Sequence, residues 1–340
     1  MNAVLRPHVS PHDRLGRPLH DLRLSVIEAC NFRCPYCMPA DKVADDYGFS
    51  AASRLSFDEI ETLVRGFVRL GTRKLRLTGG EPLLRKGLPE LIARLARIPG
   101  IDDLALTTNG SLLSPLARPL REAGLQRLTI SLDSLDPAQF AALSGGRGRL
   151  ADVLAGIEAA RAVGFAPIKL NCVIQRGVNE DAVLPLVDFA RRNGHIARFI
   201  EYMDVGTCNA WDAARVVPSA ELRDRIAARW PLRPLDPNYR GEVAARYAFA
   251  DGMGEVGFVS SVSAPFCGDC HRARVSADGR LYTCLFAERG HPLRDALQGG
   301  EPMLTERVAE IWSGRADRYS EQRARGGATG RRVEMFLVGG

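Results

Sequence analysis

A chain of 340 residues with 46% hydrophobic composition is long enough for one large domain, or a large and a small one, around a sizeable core. No apolar run approaches the roughly 20 residues that span a bilayer, and the N-terminus carries no basic, apolar, small-residue leader pattern, so a cytoplasmic protein off the membrane is expected. The net charge of +6 is moderate and does not by itself choose among nucleic acid, an anionic small substrate and a basic surface.

Residues 1–19 are unpatterned and are expected to be poorly ordered. From His20 onward, strand-like runs at 21–27, 73–79, 103–108, 127–132, 167–174 and 197–203 alternate with amphipathic helical runs, the rhythm of βα units on a parallel sheet. One helix opens with a capping box at Ser56 and Glu59, carries Ile60, Leu63, Val64 and Phe67 on one face and stops at Gly71. Ser114-Pro115 begins another, and the runs 150–163 and 179–193 end at Gly164 and Gly194. Six such units in about 190 residues suit an open, partial (β/α)6 barrel of the α/β class better than a full eight-unit barrel of about 250. Past residue 203 the rhythm fades into a helix at 219–230 and short strands within 239–262. The segment 315–331 is Arg-, Gly- and Ala-rich without periodicity and reads as a flexible tail that ends in Gly339-Gly340.

The strands alternate in an unusual way. Arg23 and Ser25 alternate with Leu22, Leu24 and Val26, Lys74, Arg76 and Thr78 with Leu75 and Leu77, Thr107 and Asn109 with Leu106, Thr129, Ser131 and Asp133 with Leu128, Ile130 and Leu132, and Lys169 and Asn171 with Ile168, Leu170 and Cys172. If the apolar faces meet the helices, the polar faces line the lumen, and buried cations there need an anionic occupant. An antiparallel sheet with one solvated face shows the same alternation, but the intervening helices favour parallel crossovers. Only Lys42, Lys74, Lys86 and Lys169 of the 46 basic residues are lysine; in so arginine-rich a chain, a lysine marks a place suited to a compact ammonium.

Most of the eight cysteines fall in two close sets, which reads as metal ligation in a reducing compartment rather than a disulfide framework. Cys30, Cys34 and Cys37, spaced C-x3-C-x2-C, can hold three corners of a [4Fe–4S] cube and leave one iron open. A zinc knuckle with a distant fourth ligand, or buried thiols, are the competing readings. Cys267, Cys270 and Cys284 form a second set; Cys267 to His271 matches a haem-attachment pattern that leaves Cys284 unexplained, CxxC plus a third cysteine also matches zinc, and a second three-cysteine cluster with one open iron is the better account. Arg272 and Arg274 stand beside it at alternate positions, a good arrangement for a phosphate or other anion, against the usual reading of such a pair as a solvated basic turn. Cys172 reads as buried packing and Cys208 as a loop thiol.

The stretch from Cys30 to Cys37, with Tyr36 before the last cysteine, resembles the signature of the radical S-adenosylmethionine (SAM) family, and Gly79-Gly80-Glu81-Pro82 resembles its glycine motif. With LRLTGGEPL, TTNG, ISLDSL, C-x2-C-x13-C with its RxR and the final Gly-Gly, the chain from about residue 20 onward resembles the branch of that family that serves molybdenum cofactor biosynthesis. The resemblance implies the radical SAM partial barrel over 20–215, an auxiliary-cluster region over 216–314 that closes the barrel mouth, and the tail over 315–340.

It further implies two [4Fe–4S] clusters, with SAM on the first, helped by Tyr36, Gly80, Ser131 and Met203. GTP would meet the second among Arg23, Arg76, Thr107, Lys169, Arg272, Ala273 and Arg274, with Lys74, Arg198, Gly339 and Gly340 as further candidates. The implied chemistry is removal of hydrogen from C3′ of GTP by a 5′-deoxyadenosyl radical and closure of C3′ onto guanine C8. No protein side chain is then the catalyst. An external electron donor is implied, the next enzyme of the pathway, cyclic pyranopterin monophosphate synthase, is a functional neighbour, a homodimer is allowed, and no nucleic acid or membrane partner is expected. A radical SAM enzyme acting on a peptide would share the first motif without the phosphate-suited cations. A non-catalytic iron–sulfur or zinc protein would share the cysteines without GGEP or a polar lumen.

Overall fold

A computed structural model describes residues 10–41, 43, 51–323 and 332–339. The expected alternation forms six parallel strands, β1 (Asp21–Ser25), β2 (Lys74–Thr78), β3 (Asp103–Thr108), β4 (Arg127–Ser131), β5 (Lys169–Ile174) and β6 (Ile196–Glu201). Between them run α1 (Phe57–Arg69), α2 (Leu88–Ala96), α3 (Leu113–Glu122), α4 (Pro137–Leu143), α5 (Leu150–Ala162) and α6 (Val183–Arg192). Helix α1 has the expected capping box, with Glu59 N–H donating to Ser56 Oγ at 3.2 Å and Ser56 N–H to Glu59 Oε2 at 2.7 Å.

After α7 (Ser219–Ala227) come β7 (Leu232–Leu235), β8 (Ala245–Phe249), β9 (Glu255–Val259), β10 (Arg272–Val275), β11 (Arg280–Tyr282) and β12 (His291–Pro292). The sheet order is β12-β11-β10-β1-β2-β3-β4-β5-β6-β9-β8-β7. Strand β10 pairs parallel with β1, and β9 parallel with β6. Strands from the region 216–314 extend the first sheet at both edges, so eight neighbouring strands run parallel.

Period-two alternation decides what each face does. Leu22, Leu24, Leu75, Leu77, Leu106, Leu128, Ile130, Ile168 and Leu170 are buried in one core against the helices. The opposite face, with Arg23, Arg76, Thr78, Thr107, Ser131, Lys169 and Asn171, lines a cavity of about 500 Å³.

The ends of the chain differ from expectation. Within 1–19, residues 10–19 are built into the fold: Asp13 and Arg17 form a buried ion pair at 2.6 Å, Arg315 joins Asp13 at 3.3 Å, and Trp312 Nε1 donates to the Arg17 carbonyl. The early part of the expected tail, after α8 (Arg294–Gln298) and α9 (Gly300–Ser313), is thus locked to the start of the chain. Periodicity carries no trace of such a contact across about 300 positions. Two short helices, α10 (Tyr319–Gln322) and α11 (Met335–Val338), follow.

Candidate active site

The first cysteine set sits on the loop that leaves the C-terminal end of β1. Cys37 and Met38 both donate their N–H to the Cys34 carbonyl, at 2.9 and 2.8 Å, which turns the three thiols inward on the cavity. Burial pushes Cys30 up to about 11 and raises Cys34 and Cys37 well above the usual thiol range, with Cys37 and Cys30 further opposing ionisation of Cys34 and Cys30 that of Cys37. Three crowded thiols that resist charging without a cation suit a metal cluster, whose positive charge removes that penalty.

Gly79 and Gly80 follow β2 because this loop lies on top of them. A methyl group at Gly80 would collide with the carbonyl oxygens of Ala29 and Glu28, and one at Gly79 with that of Ile27. Gly80 N–H donates to Ile27 O at 2.8 Å and Glu81 N–H to Ala29 O at 2.8 Å. The fully buried Glu81 carboxyl, pushed up to about 7 by burial, accepts from Thr108 Oγ1 at 2.6 Å and from the N–H groups of Asn109 and Leu83. Tyr36 donates its hydroxyl to Asp133 Oδ2 at 2.6 Å, so the aromatic of the cysteine motif is tied to the loop after β4.

Cations occupy the middle and the N-terminal end of the strands. The parallel register sets Arg274, Arg23 and Arg76 side by side on β10, β1 and β2. Arg76 reaches Thr107 Oγ1 at 2.9 Å and Thr129 Oγ1 at 3.0 Å. Burial pushes Lys169 down to about 7, Arg274 to about 9 and Arg198 to about 10, each further opposed by neighbouring cations. Among the described residues, Arg23, Lys169 and Arg198 have no hydrogen-bond or ion-pair partner, and Arg198 Nε is fully buried. Buried cations in this state call for an anion.

Cys267 and Cys270 precede β10 and Cys284 follows the antiparallel β11, so the second cysteine set lies toward the N-terminal end of the parallel strands. With a rise of about 3.3 Å per residue, a five-residue strand separates the two sets by roughly 15 Å, room for two ligands end to end. Burial pushes Cys284 up to about 12; burial also opposes the Cys270 thiolate, yet Arg272 and Arg315 bring that thiol down to about 6. Arg272 Nη2 and Arg315 Nη2 lie 3.2 and 3.3 Å from Cys270 Sγ.

The chain returns to the cavity at its end. Glu334 accepts from Thr207 N–H at 3.0 Å, from Thr207 Oγ1 at 2.8 Å and from Cys208 Sγ at 2.9 Å. Met335 and Phe336 line the cavity, and the Gly339 carbonyl accepts from Arg274 Nη1. Gly339 has φ +69°, and a methyl group there would strike Thr78.

Of the residues singled out from sequence, Cys30, Cys34, Cys37, Tyr36, Gly80, Ser131, Met203, Arg23, Arg76, Thr107, Lys169, Cys267, Cys270, Cys284, Arg272, Arg274, Lys74 and Arg198 all line this one cavity. Ala273 does not: it pairs with Leu22 and its side chain lies in the helix-side core, leaving only its backbone near the site. Gly340 lies outside the described residues. Sequence reasoning set Asp133 on the polar strand face and Glu81 in the glycine motif without a role for either, and missed Arg315 and Glu334. Asp133 and Glu81 sat inside recognised motifs and could have been found as acids in otherwise apolar or glycine contexts; Arg315 and Glu334 carried no local signal.

Comparison with known proteins gives the class first. Residues 24–190 match the family model described as Radical SAM superfamily, and residues 195–321 the one described as Molybdenum Cofactor Synthesis C. A crystal structure of Streptococcus suis SuiB bound to S-adenosylmethionine is similar with a TM-score of 0.61 at 15% identity, covering 91% of this chain and 69% of that one, a likeness of fold. The fold is that of a radical SAM protein. Proteins named GTP 3′,8-cyclase are far closer in sequence: one from Xanthomonas campestris pv. campestris (strain 8004) is 67% identical over 96% of this chain and 97% of its own length. Others from Acidothermus cellulolyticus and Staphylococcus haemolyticus are 55% and 42% identical, over 92% and 96% of this chain and 88% and 98% of theirs. The chain belongs to the GTP 3′,8-cyclase family.

Proposed function

We infer that this chain is a GTP 3′,8-cyclase acting in molybdenum cofactor biosynthesis. The observation that carries the reading is one cavity with a three-cysteine set at each end of its strands and unpartnered cations between them.

Cys30, Cys34 and Cys37 would hold a [4Fe–4S] cluster with one open iron, which would supply the electron for reductive cleavage of SAM, the chemistry by which hydrogen would leave C3′ of GTP and C3′ would join guanine C8. One further electron and one proton complete 3′,8-cyclo-7,8-dihydro-GTP, so an external donor is part of the reading.

The chain's own residues bind and orient. Tyr36, Gly80, Ser131 and Met203 form the SAM end, where Gly80 lets the backbones approach and Asp133 fixes Tyr36. Arg23, Arg76, Lys169, Arg198 and Arg274 neutralise a triphosphate, with Lys74 at the strand entrance and Thr107 bracing Arg76. Cys267, Cys270 and Cys284 fit a second cluster, because Arg272 and Arg315 favour a thiolate at Cys270. A substrate held at that end would need its sugar toward the SAM end, the positioning the reaction requires. Cytoplasmic residence agrees with the eight free cysteines. No helix among the described residues is long and apolar enough to cross a membrane.

The direct test is anaerobic incubation of cluster-reconstituted protein with SAM, dithionite and GTP, with mass spectrometry of the nucleotides. Joint formation of 5′-deoxyadenosine and the cyclised nucleotide is expected. Formation of 5′-deoxyadenosine with GTP left intact would reject GTP as the substrate.

A further inference from the structure

We propose that His20, Asp21 and His271 form a binding site for one divalent ion of the zinc class at the wall of the cavity. His271 Nε2 lies 3.1 Å from the Arg240 carbonyl oxygen. A carbonyl only accepts, so Nε2 carries the hydrogen and Nδ1 of the neutral ring is a bare lone pair. That Nδ1 is buried, has no hydrogen-bond partner, and sits 3.5 Å from Asp21 Oδ1, on a ring only 4% exposed. Two lone-pair atoms thus face each other across a dry gap.

A proton fills this gap poorly, since 3.5 Å exceeds the usual 2.7–3.2 Å of an N–H···O bond. A metal ion fills it well: bonds of about 2.1 Å place neighbouring tetrahedral ligands about 3.4 Å apart. His20 Nδ1 lies 2.7 Å from the same carboxylate oxygen, and the three ligand atoms fall within 4.8 Å of one another. His20 is the more exposed ring and has room to open to the tetrahedral spacing. The Nε2–H bond to a carbonyl is the outer contact by which metal-bound imidazoles are held in place. Imidazole and carboxylate together select zinc or cobalt over magnesium.

Two of the nearby cations have partners of their own, while Arg23 has none among the described residues. Lys74 is held by Tyr239 Oη at 2.7 Å and Asp103 at 3.5 Å, and Arg272 by Cys270. Asp21 also lines the cavity, so an ion here adds a Lewis acid to the wall that carries Arg23 and Lys74. The open position suits a phosphate oxygen, a consequence that rests on the GTP reading.

The test is to equilibrate the holoenzyme, both clusters loaded, with zinc, dialyse it against metal-free buffer, and count zinc and iron by mass spectrometry. One zinc per chain is expected, lost in His20→Gln and in His271→Gln with iron unchanged, and a zinc-edge anomalous peak should fall among the three side chains. If His271→Gln also loses iron through the adjacent Cys270, His20→Gln decides alone. No zinc in the parent protein, or equal zinc in parent and His20→Gln, overturns the site. Zinc is counted without GTP, so a failure of the GTP reading leaves this result standing, and raised retention on adding GTP tests the link to phosphate.

Discussion

Arg315 donates from Nη1 to the Cys270 carbonyl at 2.6 Å and holds Nη2 3.3 Å from the Cys270 sulfur. The same guanidinium meets Asp13, so one buried side chain joins the start of the chain, the second cysteine set and the segment after α9.

Replacing Arg315 by Ala should destabilise the fold by about 3 kcal/mol, as when one partner leaves a buried ion network. It should also lower iron content at the second site while SAM cleavage persists. Arg315→Lys should restore charge but not the forked contact. Iron analysis and thermal unfolding check this; full iron in Arg315→Ala would contradict the role given to the guanidinium.

Gly80→Ala should be more damaging than its size suggests. The added methyl meets the carbonyl oxygens of Ala29 and Glu28, rigid backbone of the loop that presents Cys30. A cost of about 3 kcal/mol or more is expected, with loss of cluster absorbance and SAM binding. A variant that takes up the first cluster normally would rule out this close-approach account of the glycine.

Lys169 gives a pH signature. The folded-state ammonium titrates near 7 against an ordinary 10.5, because burial and then Arg198, Arg127, Arg76 and Lys74 oppose its charge. Between those values the folded protein binds fewer protons than the unfolded chain, so stability rises with pH across that window, and below it the penalty is complete. Lys169→Met should therefore stabilise the GTP-free protein at neutral pH by up to ~4 kcal/mol, a gain that fades toward pH 10.5. Urea unfolding of both proteins across the window measures it, and a difference that does not change with pH would count against a buried, charged Lys169. The same variant should bind GTP more weakly.

Glu334 anchors the end of the chain through Thr207 and Cys208. Glu334→Ala should cost about tenfold in kcat/KM, near 1.4 kcal/mol, with little change in global unfolding, and Glu334→Gln should recover part because its amide oxygen still accepts from Thr207. Equal turnover in all three proteins would remove any part for the anchor in positioning Gly339.

Much of this site could be read before any coordinates. The cationic face was visible because strands alternate with period two, so Arg23, Arg76 and Lys169 declared their side through Leu22, Leu75 and Leu170. Both cysteine sets were visible because cluster ligands cluster in sequence. What could not be read depends on contacts between distant segments. Strands β9 and β10 do not announce that they will add to opposite edges of one sheet, since edge pairing is decided by backbone hydrogen bonds available to any residue. Asp13, Arg17 and Arg315 lie in stretches that look loose by composition, and only their mutual burial makes them structural. Ala273 shows the limit of reading a motif as a block: between two cavity-facing arginines, the strand turns its side chain to the core.

The central claim, that one cavity holds SAM at one end and GTP at the other in reacting distance, is tested most directly with GTP carrying deuterium at C3′. Transfer of that deuterium into 5′-deoxyadenosine, abolished in Cys34→Ala, is the expected result. If 5′-deoxyadenosine forms without the label while the nucleotide still cyclises, hydrogen leaves from another position and the arrangement described for the cavity is wrong.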